Sequence, residues 1–439
     1  MAERVLHFDV LVIGAGPAGL AAAQAAASQG VRVGVGVVDM QPRTGGQVWR
    51  ADVQHGAPAD ARALRQQVAG NASITVLTRT QILLAQPGWL LADGPDGTLQ
   101  LHYAALVLAT GARELLLPFP GWTLPGVTGA GAAQALAKQG WPLAGKRVLV
   151  AGSGPLLLAS AATLQGHGAR VLGIHEQTSP AALRQFALQL WRWPGKAAQA
   201  VALRLQLRAV AYRAGSMVIA AHGDTQLREV ELAGPGGRTR VACDQLAVGY
   251  GLVPNTELAQ LLGCQLQACG AHQQVQVDAL LRTSVNQIFA AGEVCGIGGR
   301  DCALIEGAMA GHMAADAPEA ALRLQPRRHA ARAFADLLQQ HFALDPRIRT
   351  LAQADTLICR CEDVPLAALD SFNDARDAKL VSRCGMGACQ GRICGAALAE
   401  LGRCPPDLST DAGRRPPLFP VRLAALADSF TSDSQGKHP

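Results

Sequence analysis

Residues 8–19 read FDVLVIGAGPAG. The first six are a short β-rich apolar run, the pattern of a buried parallel strand. Gly14, Gly16 and Gly19 follow in G-x-G-x-x-G spacing, and Pro17 and Ala18 open an Ala-rich helical stretch that runs to Gln29. Gly14 permits the tight turn, Gly16 lets backbone approach a pyrophosphate, and Gly19 allows helix to pack close on strand. The helix N-terminus offers N–H groups and partial positive charge to phosphate. Val31–Val38 forms the next strand, and Asp39 ends it 20 residues after Gly19, where an acid accepts from ribose hydroxyls. Strand, turn, helix, strand and acid together predict a dinucleotide site rather than a Gly-rich turn. They also explain away the uncharged stretch Val10–Val31, whose length alone resembles a membrane span.

The unit recurs 138 residues later. Lys146–Ala151 is predicted as a strand, Leu156–Gly166 as a helix and Arg170–Ile174 as a strand, with Gly152, Gly154 and Pro155 in the turn. Leu157 stands where the third glycine belongs, and Glu176 takes the ribose-acid position. An acid there favours NAD or another adenine nucleotide over NADP; a relic that keeps the fold without binding is the competing reading. Elsewhere 105–109 and 288–292 read as strands, 211–248 as short strands with turns, and the chain is helical from Asp301. Segment 317–350 reads as a helical connector with Pro326 and Pro346 as breakers. From Pro405 a Pro/Arg-rich tail follows (RRPPLFPVRL, 414–423), and the last ten residues read as loose.

At 439 residues the length allows about three domains. Apolar residues make up 49% and charged residues 16%, so large cores are available and wholesale disorder is excluded. Net charge is +6 with no Lys/Arg block, which gives no footprint for nucleic acid. Glu3 and Asp9 occupy the place of a basic n-region, against a signal peptide. Eleven cysteines are present, none before Cys243 and five of them in 359–394. That is not a secreted disulfide framework. It reads as a metal or cluster site in a reducing compartment, hence a cytoplasmic location.

Cys359-Arg-Cys361 is followed by Cys384 and by Cys389-x4-Cys394. Two such pairs supply four thiolates for a [2Fe–2S] cluster or a Zn ion. The C-x-C spacing is tighter than a usual zinc knuckle, which favours the cluster, while spacing alone leaves Cys384 open. Gly385, Gly387, Gly391 and Gly395 let N–H groups approach sulfur, and Arg360, Arg383 and Arg392 bring positive charge. Cys295, Cys302 and Cys404 read as structural. The reductase dithiol is missing: Gly45-Gly46-Gln47-Val48-Trp49 carries no cysteine, no C-x-x-C precedes Cys243, and Cys264 and Cys269 lie in a polar, loop-like stretch. His7, His55, His102 and His167 stand isolated, and no catalytic base or nucleophile emerges.

With Pro17, Gly45-Gly46-Gln47, Ala109-Thr110-Gly111 and Ala291-Gly292-Glu293, the chain resembles the two-dinucleotide-binding flavoproteins. In that family the N-terminal unit binds FAD. The resemblance implies that Gly14, Gly16, Pro17, Ala18, Gly19, Asp39, Met40, Arg43, Gly45, Gly46, Gln47, Thr110, Gly111, Gly292 and Glu293 hold it. Glu293 replaces the usual Asp at one methylene's greater reach. The run ICRCEDV (358–364) with CGMGACQGRIC (384–394) resembles the domain related to bacterioferritin-associated ferredoxin. Together with ATGARELLLPFPGWTLPGV (109–127), VAGSGPLLL (150–158), GYGLVPNTEL (249–258) and the 415–421 tail, it is similar to the α subunits of opine oxidases, hydrogen cyanide synthase and proline or hydroxyproline dehydrogenases. The resemblance implies Cys359, Cys361, Cys389 and Cys394 as cluster ligands and Cys384 as a bystander.

The expected architecture is α/β. Two Rossmann-like domains of glutathione-reductase type, without a redox disulfide, are accompanied by a small, mostly helical [2Fe–2S] domain. The FAD domain is split (1–118 and 253–320) around a second nucleotide domain (119–252); then come a connector (321–350), the cluster domain (351–405) and the tail (406–439). The resemblance implies an electron-transferring subunit that serves an FAD-containing, amine-oxidising β subunit, with room for a small third subunit. It implies peripheral membrane association, if any, through that complex. Two other readings stay open: a stand-alone NADH-dependent oxidoreductase, and a redox or metal sensor.

Overall fold

The computed structural model describes residues 4–30, 32–372, 374–403 and 416–431. The decisive stretch folds as strand β1 (Arg4–Ile13) and helix α1 (Pro17–Ala27), followed by β2 (Val35–Val38) and β3 (Ile74–Leu77). Strands β4 (Gln81–Gln86), β5 (Trp89–Gly94) and β6 (Gly97–Leu108) complete the row. The sheet order is β3-β2-β1-β6-β5-β4, with Ile288–Ala290 also paired to β6. β1 runs parallel to β2 and β6, in register Val12 with Val37 and with Val107. β2 is buried at every position, as a strand covered on both faces must be. The β4–β5–β6 meander is antiparallel.

A second sheet is parallel throughout: Tyr212–Ala214, Arg170–Glu176, Arg147–Gly152, Gln245–Gly249 and Val127–Gly129. Its helix spans Leu156–Gly166. Leu157 is fully buried there, and it fits because the strand opposite carries Gly249, whose missing Cβ would stand 3.2 Å from Leu157 Cδ2. Residues 217–242 form a three-stranded antiparallel sheet. The fold is thus α/β, as the sequence implied, with one mixed sheet whose β1, β2, β3 and β6 run parallel and one sheet parallel throughout.

Pro326 and Pro346 divide the connector into separate helices. Each sits in the first turn of one, in Gln325–His341 and in the 3-10 turn Pro346–Thr350, where the missing N–H has no acceptor to lose. Beyond them Leu357–Cys359 pairs antiparallel with Val364–Pro365, and helices Ala375–Ser382 and Cys394–Glu400 follow. In the tail, the Leu418 N–H bonds the Leu83 carbonyl at 2.8 Å, Ala425 packs on Leu83 and Leu91, and Arg422 pairs with Asp93. Arg414, Arg415, Cys404 and residues 432–439 lie outside the described residues. No described helix is long and apolar enough to cross a membrane.

Helix Gly299–Ala314 lies against α1 through Gly307 and Gly311, whose added Cβ atoms would stand 2.0 and 2.1 Å from the carbonyl oxygens of Ala18 and Ala22. Gly307→Ala therefore forces backbone apart, and it should lower stability by about 1–3 kcal/mol or more. Thermal denaturation compared with an exposed control, Gly166→Ala, checks this.

Candidate functional site: a nucleotide cleft beside a cysteine cluster

A cleft of about 340 Å³ opens at the N-terminus of α1. Gly14, Gly16, Pro17, Ala18, Asp39, Met40, Gly46, Gln47, Thr110, Gly111 and Glu293 line it. Gly19 lies behind this wall. A Cβ there would stand 1.7 Å from the Gly14 carbonyl oxygen, so only glycine lets α1 begin so close to the turn. Gly45 donates to the Ala15 carbonyl at 2.7 Å, and Gly292 donates to Glu306 at 3.1 Å, so both shape the wall from outside it. Arg43 is not part of the lining.

Asp39 closes β2 with one oxygen accepting the Ala15 N–H and the other the Gln41 N–H, each at 2.7 Å. Burial pushes its carboxyl up, against those two bonds and the charge of Arg50. Burial likewise pushes Glu293 up, countered by an N–H from Gly299 and by Arg332. A turn of small residues, a helix N-terminus and an acid at the strand end match a dinucleotide's pyrophosphate and ribose. The donor set fits FAD.

The far end of the cleft adds Arg113, Asn255 and Glu257 to the residues the sequence motifs single out. Thr110 and Asn255 exchange two hydrogen bonds, of 2.7 and 3.0 Å. Arg113 reaches the Asn255 side chain at 2.9 Å and buried Glu257 at 3.0 Å. Arg392 comes from the cysteine loop to within 3.7 Å of the same Glu257, with its guanidinium 4.2 Å from the Phe419 ring centre. Leu418 and Phe419 of the tail line the cleft too. Arg113, Asn255 and Glu257 lie inside the quoted runs ATGARE and GLVPNTEL, but no spacing rule marks them individually.

The sulfur atoms of Cys359, Cys384 and Cys394 lie within 4.8 Å of one another. Cys389 joins through sulfur contacts to Cys394 and to Cys361, the one exposed member. All four cysteines expected as ligands therefore gather here, and Cys384, expected as a bystander, sits inside the group. Gly387 makes room for the loop, since a Cβ there would stand 2.2 Å from the Cys361 Cβ. The Cys394 thiol donates to its neighbours, which holds Cys389 down at about 4 and pushes Cys394 up. Five thiols in one knot suit a thiolate-bound metal or cluster. The three arginines nearby have other partners: Arg383 pairs with Glu362 at 2.7 Å, Arg360 stacks on Trp122, and Arg392 turns toward the cleft.

The second fingerprint loop is covered by the chain itself. Glu176 is fully buried and accepts N–H bonds from Gly154 at 2.8 Å and Thr178 at 2.9 Å. Burial raises its carboxyl. The Ser153 hydroxyl donates to the Phe342 carbonyl at 2.9 Å, and the Phe342 ring lies against Gly154. The Gln177 side chain grips the Ala343 carbonyl and the Asp345 N–H, both at 3.2 Å. Residues 342–345 thus lie across the second fingerprint loop, and Pro155 stands outside them as the N-cap of the helix.

Residues 8–317 match the family model of the pyridine nucleotide-disulphide oxidoreductases. The chain is 33% identical to the A subunit of opine oxidase from Rhizobium meliloti (strain 1021), over 96% of this chain and 98% of that protein. It is 30% identical to the HcnB subunit of hydrogen cyanide synthase from Pseudomonas protegens, over 98% and 100%. In fold it resembles the L-proline dehydrogenase of P. horikoshii, with a TM-score of 0.66 at 18% identity over 97% of this chain and 80% of the other.

Two outcomes test the site's electrostatics. Glu176→Ala strands two N–H groups in the interior, at about 1–3 kcal/mol each, which denaturant unfolding would register. His175, next to it, is buried and bonded to Ser216 at 2.8 Å, and burial with the charge of Arg213 lowers it to about 4. Its folded value lies below its unfolded value near 6.5, so the unfolded chain binds the extra proton between them. Stability is therefore fully present above about pH 6.5 and falls as pH drops toward about 4, by up to about 3 kcal/mol. A His175→Gln variant should flatten that part of the stability–pH curve.

Proposed function

The chain belongs to the pyridine nucleotide-disulphide oxidoreductase family and is an FAD-dependent oxidoreductase, and from that premise we propose that it is the electron-transferring subunit of a heteromeric amino- or imino-acid dehydrogenase. The substrate class is that of hydroxyproline, proline, an opine or glycine, oxidised on an FAD-containing amine-oxidising partner. Two relatives are named as subunits, of opine oxidase and of hydrogen cyanide synthase, and both match this chain from end to end. In this reading the chain works in the cytoplasm and passes electrons to a respiratory acceptor.

The observation that carries the reading is Arg392. It lies between Cys389 and Cys394 in sequence and lines the nucleotide cleft, so the cysteine knot and the cleft share a wall. When bound, FAD exchanges electrons in pairs or singly and a [2Fe–2S] cluster carries one at a time. The protein's part is to hold and tune them. Gly14, Gly16 and the α1 N-terminus cradle the pyrophosphate, and Asp39 takes a ribose hydroxyl. Thr110, Gly111, Gly292 and Glu293 shape the flavin end, where the Arg113–Glu257–Arg392 network fixes the local charge. Cys359, Cys361, Cys389 and Cys394 hold the cluster, with Cys384 as its neighbour. The partition of residues into an FAD domain (1–118 and 253–320), a second nucleotide domain (119–252) and a cluster domain (351–405) follows from this assignment.

The second reading, an NADH-dependent reductase, needs its donor at the second fingerprint loop. Phe342, Ala343 and Asp345 lie across that loop, and the Gly154 N–H is already given to Glu176. This favours the relay.

The test is the visible spectrum of the chain purified without air and titrated with NADH. Flavin absorbance with added cluster absorbance, unchanged by NADH and bleached by dithionite, is expected. Stoichiometric bleaching by NADH would make the chain a reductase in its own right, and zinc without iron would make it a sensor. Cys389→Ser should lose both irons while keeping the flavin, whereas Cys384→Ser should keep two irons per chain by elemental analysis. Iron lost from Cys384→Ser and kept in Cys361→Ser would exchange those two roles.

A further inference from the structure

Asp52, His55 and His167 stand apart from the nucleotide cleft and the cysteines. Asp52 and His55 follow the Gly45–Trp49 segment, and His167 ends the Leu156–Gly166 helix of the other parallel-sheet unit. The His167 side chain is 4% exposed, Asp52 10% and His55 55%. One ligand atom from each lies within 4.8 Å of the others.

The His167 ring fixes the chemistry. Its Nδ1 is 2.8 Å from the Thr163 carbonyl oxygen, which only accepts, so Nδ1 carries the proton. Nε2 then aims its lone pair at the Asp52 carboxylate, 3.2 Å away. Two acceptors face each other at that distance only with a positive species between them. The carboxylate also accepts N–H bonds from Gln54 and His55, both at 2.9 Å, which fix its orientation. Lys138 places its charge near the group, with Arg50 beyond it.

A proton would serve Asp52 and His167 alone. The third group decides the matter: His55 Nδ1 lies 3.5 Å from the same carboxylate, and the two imidazole rings meet edge to face at 4.7 Å. Ligand atoms about 2.0–2.1 Å from a tetrahedral ion lie about 3.3 Å apart, and Asp52 Oδ1 stands 3.3 Å from His167 Nε2 and 3.5 Å from His55 Nδ1. A ligating histidine characteristically donates its other N–H to a backbone carbonyl. We propose that Asp52, His55 and His167 bind one divalent transition-metal ion of the Zn²⁺ class. Its remaining position faces solvent on the His55 side, and it clamps the loop behind the nucleotide cleft to the second sheet unit. Beside it the Val53 N–H bonds the Lys138 carbonyl at 2.9 Å, a contact that already ties these two parts together. Two nitrogens and one oxygen suit zinc better than calcium or magnesium.

The experiment uses the full chain, freed of adventitious metal with EDTA and with its cysteine cluster loaded. Zn²⁺ binding is measured by equilibrium dialysis, and the bound zinc by X-ray absorption. One equivalent of Zn²⁺ with an N/O shell at about 2.0–2.1 Å, and no sulfur at about 2.3 Å, is expected. His167→Gln should abolish that equivalent. His55→Ala removes an exposed side chain without disturbing the interior, and it should weaken binding at least tenfold. A sulfur shell, no bound zinc, or equal affinity in wild type and His55→Ala would overturn the proposal and leave an imidazolium–carboxylate pair.

Discussion

The structure depends on how closely α1 approaches its neighbours. At its start Gly19 lies on the Gly14 carbonyl, and along its length Gly307 and Gly311 sit on the carbonyls of Ala18 and Ala22. Small residues on both sides let backbone meet backbone, and this leaves the helix N-terminus at the end of β1, pointing into the cleft. The buried alanines of α1 serve the same end, because larger side chains would push the outer helix away. The shape of this cleft is thus a consequence of packing density in the core below it.

The second unit repeats the topology and departs in the use of its polar groups. In both units the strand-end acid accepts two N–H bonds, one from the loop and one from two residues ahead. At Asp39 the loop donor is Ala15, between the two glycines. At Glu176 it is Gly154, the second glycine, whose N–H a phosphate would otherwise take. The Phe342–Asp345 segment then fills the space above. In the second unit the loop is a docking surface for the chain's own connector, and the buried acid ties loop to strand.

The connector also explains the position of the cysteine knot. By settling on the second loop, it delivers residues 351–403 to the rim of the first cleft. Trp122 fastens them there through a 2.7 Å bond to the Leu357 carbonyl, and Arg113 bonds the Arg392 carbonyl at 3.1 Å. Two sites far apart in sequence come to share the Arg113–Glu257–Arg392 network. The proximity of cleft and knot rests on these few polar contacts.

The amino-acid sequence determined both β-turn-α-β units, the acids that close them, the lack of a dithiol beside Gly45-Gly46-Gln47 and the local wealth of cysteine. These are patterns of short range, set by strand and helix period and by glycine stereochemistry, so a linear reading recovers them. Tertiary structure alone decided the rest. That Leu157 fits because Gly249 faces it, that Phe342 covers Ser153 and Gly154, that Cys384 joins Cys359 and Cys394, and that His167 meets Asp52 are outcomes of contact across the chain, up to 189 positions apart. No spacing rule reaches such distances. They follow from how whole elements dock, which depends on the volume, hydrogen-bonding and burial of every side chain between them.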